Sequence, residues 1–302
     1  MKQFSIIVPV YNEKAWIKDF LYSLYHQTRQ PDEIIIVDGN STDGTLEILE
    51  AEEDAGKIIL ASFPCNIAQA RNYAIKHAKH EIILCTDAGC LVDHKRCESM
   101  IHIYETTDEK VVAGISRFII ANDFQKKLRY IFNQEDNHIL SSRNFSFTKE
   151  VWKDVKWYPE YLTKWWEDTY FNLMIQRHGY DIFICKQAIV SRHLSKNFAQ
   201  LFKMFQNYTQ WDAEILAIHH TIQSQSIYQA LIYSAFFVLI LILFFTSTSL
   251  SLLLLGFWFL VMWIKKKYKN FLFNIQFYCT KFFIVYGFWK WLCKWLTITS
   301  KK

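Results

Sequence analysis

The chain has 302 residues, room for one large α/β domain and an appendage, and its 51% hydrophobic and 17% aromatic content excludes a disordered or collagen-like chain. Gly (8) and Pro (4) are too scarce for a Pro/Gly-rich linker. The net charge of +5 is split: residues 1–226 carry 25 basic and 29 acidic side chains, whereas 227–302 carry nine Lys and no Arg, Asp or Glu, which points to a membrane partner and not to nucleic acid.

The first 90 residues alternate strand and helix. Phe4–Val8 is short, apolar and β-rich. Asn12 can cap a helix whose apolar face is Trp16, Ile17, Phe20, Leu21 and Leu24. After Pro31, Glu33–Asp38 holds the Ile-Ile-Ile-Val run of a fully buried strand. Ser41 or Thr42 caps a second helix containing Leu46, Ile48 and Leu49, and Lys57–Ala61 is a third strand. Asn66 opens a helix that runs through Ala78, and Glu81–Thr86 is a fourth strand. This order predicts an α/β fold with a mostly parallel sheet flanked by helices, binding its ligand beyond the carboxyl ends of the strands. Residues 90–195 continue as mixed α/β. Strands are predicted at Val111–Phe118, Asn144–Phe147 and Asp181–Cys185, with a helix at Glu167–His178 closed by Gly179.

Beyond residue 195 the pattern changes. Residues 196–226 form a connecting segment in which Asn197–His220 puts Phe198, Leu201, Phe202, Phe205 and Tyr208 on one helical face. That face suits a core or a membrane interface. Ile227–Phe245 is 19 charge-free residues, long enough to span a bilayer; Thr246–Ser249 is a polar break, and Leu250–Ile264 is again charge-free. The expectation is a helical hairpin over 227–264. Lys265–Lys269 then places both ends on the cytoplasmic side. Asn270–Thr299, rich in Phe and Trp but carrying Lys281, Lys290 and Lys294, reads as an interfacial helix, with a third span as the alternative. The apolar run at the N-terminus is too short for a signal peptide, so the acidic half is expected on the cytoplasmic face of a multi-pass cytoplasmic-membrane protein. The seven Cys residues make no CxxC or CxxH pair, which indicates free thiols in a reducing compartment and no zinc site.

The first, second and fourth predicted strands each end at a carboxylate: Glu13, Asp38 and Asp87. Carboxylates gathered on one rim can accept from a nucleobase and ribose, or hold a divalent metal on a diphosphate. Arg71, on the helix approaching that rim, has the fork that pairs with phosphate. Neither GxGxxG nor GxxxxGK[ST] occurs, which counts against a dinucleotide oxidoreductase and a P-loop NTPase.

Five motifs then appear in order: Ser5-Ile-Ile-Val-Pro-Val-Tyr-Asn-Glu13, Val37-Asp-Gly-Asn-Ser-Thr-Asp-Gly-Thr45, Ala70-Arg-Asn-Tyr-Ala74, Thr86-Asp-Ala-Gly89 and Trp166-Glu-Asp-Thr169. Together they resemble the family 2 glycosyltransferases of the GT-A fold, over about residues 3–195. The resemblance implies an inverting enzyme that uses a nucleotide-diphosphate sugar, by family habit a UDP-sugar, and a divalent metal, Mg²⁺ or Mn²⁺. It implies that Pro9, Tyr11, Glu13 and Asp38 line the nucleotide site, that Arg71 approaches the diphosphate, and that Asp87 opens the metal motif. Asp168 would be the catalytic base and Glu167 would orient the acceptor. Arg143, in Ser141-Ser-Arg-Asn-Phe145, is a candidate phosphate contact. His193 stands either near the metal or as a hydrogen-bonded structural His. Two departures stand out: Gly39 and Gly89 occupy places where relatives often carry a second carboxylate. With the membrane tail, the expected acceptor is lipid-linked or a growing glycan. A polyprenyl-phosphate acceptor, beside Arg192 and Lys196, and a non-catalytic membrane scaffold are the alternatives.

Overall fold

The computed structural model describes residues 1–132, 140–162, 167–201 and 203–204. The chain divides into two units, Met1–Ile119 with Gln134–His193, and Ile120–Asn133 with Leu194–Lys302.

The first unit is built on one eight-stranded sheet of order β3-β2-β1-β4-β7-β6-β8-β5. Its strands are β1 (Phe4–Val10), β2 (Glu33–Asp38), β3 (Ile59–Ser62), β4 (Ile82–Cys85), β5 (Cys90–Val92), β6 (Val111–Ile119), β7 (Phe145–Thr148) and β8 (Phe183–His193). Every residue of β1 and β2 is buried because both sheet faces are covered. The side chains alternate accordingly. Ile6 and Val8 join a cluster with Ile17, Phe20, Leu21 and Leu24 of α1 (Ile17–Tyr25) and Met100 of α4 (Arg96–Thr106). Ile7, Ile35 and Val37 face Ala70, Ala74 and Ile75 of α3 (Ile67–His77) on the other side. α2 (Thr45–Asp54), α6 (Lys149–Asp154) and α7 (Glu167–Arg177) complete the cover.

The alternating half of the sheet is parallel, as the pattern predicts: β3, β2, β1 and β4 run the same way. The other half is mixed. β7 lies antiparallel between β4 and β6, β5 is antiparallel to β8, and β8 is parallel to β6. A reversed strand presents its amino end, not its carboxyl end, to the rim. The 3-10 turn Ser142–Asn144 therefore joins the carboxyl ends of β1, β2 and β4 there.

Local signals fared unequally. Asn66 caps α3 in a reciprocal capping box with Gln69, as its position before the apolar run predicts. Gly179, at φ +81, closes α7. Asn12 does not cap α1, whose N-cap is Trp16, nor does Ser41 or Thr42 cap α2, which starts after left-handed Gly44. Those polar side chains serve the loops instead. The predicted strand at Asp181–Cys185 is the start of the longer β8, and β5, α4 and α6 have no counterpart in the predicted elements.

In the second unit, α5 (Asp123–Phe132) is opened by Asn122, whose Oδ1 accepts from the Gln125 amide at 2.8 Å. Gln125 Nε2 donates to Leu194 O at 2.7 Å, and Phe124 meets Phe198 edge to face. No described helix is long and apolar enough to cross a membrane. The segments 227–264 and 270–299, and most of 196–226, lie outside the described residues.

Candidate active site

The rim begins with two interlocked loops. Asn12, held at φ 54, donates its amide to Ser41 Oγ and accepts from the Thr42 amide on Oδ1, each at 2.8 Å. The Glu13 amide donates to Thr45 Oγ1 at 2.9 Å, and the Lys14 amide to Asp43 at 3.1 Å. Asp38 secures this assembly from below. It is 0% exposed and accepts from the Ser41 amide (2.9 Å), Ser41 Oγ (2.5 Å) and Ser62 Oγ (3.0 Å). Pro9 is buried within β1, beside Val37. Tyr11, by contrast, is 62% exposed above Gly39. A Cβ at Gly39 would lie 3.3 Å from Cys65 O and 3.5 Å from the Tyr11 ring.

Arg71 lies beneath the rim, not on it. Its guanidinium is 1% exposed and bridges two carboxylates, with Nη1 to Glu167 Oε1 at 2.5 Å and Nη2 to Asp87 Oδ1 at 2.9 Å. Burial works against the Arg71 charge most strongly, yet Asp87 and Glu167 together outweigh it and hold its pKa well above the usual value. Burial, then Asp168, pushes the Glu167 carboxyl up, and the guanidinium pulls it back. Below Arg71 sits Tyr158, with its ring 5.4 Å from the guanidinium, stacked on Phe171 and hydrogen-bonded to Ser142 Oγ at 2.8 Å.

Asp168 is the second described residue of α7, inside its first turn. Its Oδ2 accepts from Ser141 Oγ at 2.9 Å, and its Oδ1 from the Thr169 amide at 2.7 Å. Arg143 Nε stands 3.9 Å from Asp87 Oδ2. His193, at the rim end of β8, packs its ring on Trp16 with centroids 4.1 Å apart. Glu13 points across Gly89: a Cβ there would lie 3.3 Å from Glu13 Oε1. Burial first, then the charges of Asp87 and Asp43, lifts the Glu13 carboxyl to about 7. Among the described residues no group of three or more His, Cys, Asp or Glu is gathered closely enough to hold a metal by itself.

The structure thus brings Glu13, Asp87, Arg143, Glu167 and Asp168 together at the rim, with Arg71 tying Asp87 to Glu167 from beneath, while Asp38 and Pro9 shape it from inside. Ser41, Asp43, Ser62, Asn72 and Tyr158 also build it. Ser41, Asp43 and Asn72 lie inside motifs the sequence displays, whereas nothing in the sequence marks Ser62 or Tyr158, because their partners Asp38 and Ser142 are remote in the chain.

The half-parallel sheet, with carboxylates and arginines beyond the carboxyl ends of its strands, is of the GT-A type. The profile of "Glycosyl transferase family 2" matches residues 5–185, and the chain belongs to that family. It is 36% identical over 125 residues to the Escherichia coli UDP-Glc:alpha-D-GlcNAc-diphosphoundecaprenol beta-1,3-glucosyltransferase WfaP, covering 41% of this chain and 49% of that one. It is 31% identical over 113 residues to the Streptococcus pneumoniae glycosyltransferase GlyG, covering 36% and 38%. The chain therefore aligns with half or less of these curated relatives. In fold it is similar to the mannosyltransferase PcManGT of Pyrobaculum calidifontis, solved with GDP-Man and Mn²⁺, at TM-score 0.67 and 19% identity over 96% of this chain and 87% of that one.

Proposed function

We propose that the chain is an inverting glycosyltransferase that moves a sugar from a nucleoside diphosphate sugar to a lipid-linked or growing glycan acceptor. The observation that carries this reading is the Asp87–Arg71–Glu167 bridge. One buried guanidinium ties the carboxylate at the end of β4 to the first turn of α7, where Asp168 stands. Inversion needs an acceptor hydroxyl to lose its proton while it attacks opposite the leaving diphosphate. Asp168 is the base. Ser141 Oγ occupies its Oδ2, which orients the carboxylate, and such a base contributes about 10²–10⁴ in rate. Glu167 and Arg71 act through position and field. Exposed Tyr11 offers a ring face to the nucleobase. Arg143 meets the negative charge that builds on the diphosphate.

The donor set suits a hard divalent cation. Asp87 and Glu13 offer oxygens, and the Glu13 carboxyl is crowded by other carboxylates, a repulsion that Mg²⁺ or Mn²⁺ relieves. Asp87 and Glu13 would hold it, with His193 at the rim's edge, and diphosphate oxygens and water complete its shell. Bound there, the ion supplies charge neutralisation to the leaving group. The WfaP name specifies UDP-Glc and a diphosphoundecaprenol-linked sugar, and solved fold neighbours hold UDP-GlcNAc or GDP-Man. These support the donor class and a lipid-linked acceptor. The cation-rich, acid-free sequence 227–302 supports a membrane-held enzyme that meets such acceptors at high local concentration.

A thermal-shift screen of nucleotide sugars with Mg²⁺ or Mn²⁺ tests the reading, because a ligand at 100 Kd stabilises by about 2.7 kcal/mol. At least one UDP- or GDP-sugar should raise Tm and be hydrolysed or transferred. A protein that none of them stabilises is a scaffold.

A further inference from the structure

Arg96, the first residue of α4, is 0% exposed and, among the described residues, pairs with no carboxylate. Its surroundings include Cys85, Cys90 and Cys97, whose thiols burial keeps un-ionised. Nε donates to Asn144 Oδ1 at 2.8 Å and Nη2 to Cys85 O at 2.6 Å, while Nη1 is buried without a hydrogen-bond partner. A buried guanidinium without a counter-ion is strongly unfavourable, and Met or Leu would fill the same space at less cost. A rule broken this deep in a core calls for a local reason.

That reason lies in what the two acceptors carry. Cys85 ends β4, two residues before Asp87. Asn144 ends the 3-10 turn, and its Nδ2 donates to Ile115 O at 2.8 Å and Ala188 O at 3.0 Å, across the irregularity where β6 and β8 slip register after Gly114. Gly114 has no Cβ because one would collide with Asn144 Nδ2 and Ala188 O. Three residues next to Asn144 reach the site: Ser141 to Asp168, Ser142 to Tyr158, and Arg143 towards Asp87. The turn thus touches the base and the β4 carboxylate together, and its fixed point is Asn144.

We infer that Arg96 is a positioning residue: by clamping Cys85 O and Asn144 Oδ1 it registers the 3-10 turn against the end of β4, and so aims Arg143 at the donor diphosphate and Ser141 at Asp168. This rests on the proposed donor site at Arg143. Arg96 touches no substrate. Its planar fork reaches two acceptors on different elements from two separate nitrogens held in a fixed geometry, whereas an ammonium would have to serve both from one nitrogen.

The test measures binding of UDP and GDP, with UMP and GMP as controls, to the full chain and to Arg96→Met, Arg96→Lys, Arg143→Met and the Arg96→Met/Arg143→Met double variant. Arg143→Met should weaken diphosphate binding roughly 10-fold and leave the monophosphates within about 2-fold, the size of one charge-assisted contact. Arg96→Met and Arg96→Lys should show the same selective loss, and the double variant should be no weaker than Arg143→Met alone. Wild-type diphosphate preference in either Arg96 variant, or losses that multiply in the double variant, overturns the clamp. If the wild type itself prefers no diphosphate, the Arg143 reading fails instead, and amide exchange decides the clamp. Arg96→Lys must then speed exchange over residues 141–148 ahead of β1 and β2. Unchanged exchange there overturns it, and the Lys variant serves if the Met variant does not fold.

Discussion

Asp168 has one oxygen held by Ser141 Oγ and the other by the Thr169 amide, so its carboxylate is oriented before any acceptor arrives. Asp168→Asn preserves that shape and removes the basicity. Turnover should fall by about 10²–10⁴ while the Kd for a nucleotide sugar stays within about 3-fold, measured by steady-state kinetics and calorimetry. Wild-type turnover would leave Asp168 a structural residue of the first turn. Glu13 behaves in the opposite sense from most carboxylates. Its folded pKa of about 7 lies above the ordinary value of 4.5, so the native state holds a proton that the unfolded chain has released over that window. Its contribution to stability is fully present below pH 4.5 and is lost as pH rises towards 7 and beyond. Glu13→Gln should therefore match the wild type in unfolding free energy near pH 4 and exceed it at pH 8, by on the order of 1 kcal/mol in a partly solvated site. Saturating Mg²⁺ should narrow that lead. An equal pH slope in both proteins would show that Glu13 is not crowded.

At the scale of elements, the segment after α6 is what places Tyr158 under Arg71. Asn72 holds it with both polar atoms of its side chain. Oδ1 accepts from Trp152 Nε1 (3.1 Å) and the Tyr158 amide (3.0 Å), and Nδ2 donates to Tyr158 O and Glu160 Oε1, each at 2.9 Å. The hold is firm enough to keep Lys156 and Trp157 at φ 61 and 73, a conformation that side chains other than Gly rarely adopt. Asn72→Ala leaves several buried groups unpaired and should cost about 2–4 kcal/mol in chemical denaturation. Lys156→Gly should be neutral or stabilise by up to about 1 kcal/mol, because it removes strain and touches no buried partner. The elements themselves were unequally legible. β1, β2, α3 and α7 announced themselves through continuous apolar runs, an Asn cap and a terminal Gly. β5 is three residues long, and α4 begins with a buried Arg that reads as surface, so neither has a local signature. The direction of β7 was invisible as well, since four apolar-polar residues pair equally well either way until neighbours choose.

For the whole molecule, the charge division remains the strongest guide to its setting. A hairpin at 227–264 with both ends cytoplasmic predicts that, in a background with Cys279 and Cys293 replaced by Ser, a membrane-impermeant thiol probe applied to intact cells labels Ser247→Cys and not Ser300→Cys. Labelling at position 300 would mean a third span over 270–299 and would remove the interfacial platform from the picture.

Composition and order alone determined that this is an α/β chain with a parallel half-sheet, a carboxylate at each of three strand ends, and a basic apolar tail, because burial on both faces forces continuous apolar strands and leaves polar residues only at their ends. The motifs carried the family. What each polar residue touches was decided by tertiary structure. Asp38 and Arg71 read alike as ligand-facing residues in the sequence, yet one is enclosed by Ser41 and Ser62 and the other by Asp87 and Glu167. The reversal of β7, which brings Arg143 to the rim, and the buried Arg96–Asn144 clamp belong to the same class. Apart from Ser41 on Asp38, these partners lie far apart in the chain, and only the packed sheet brings them together.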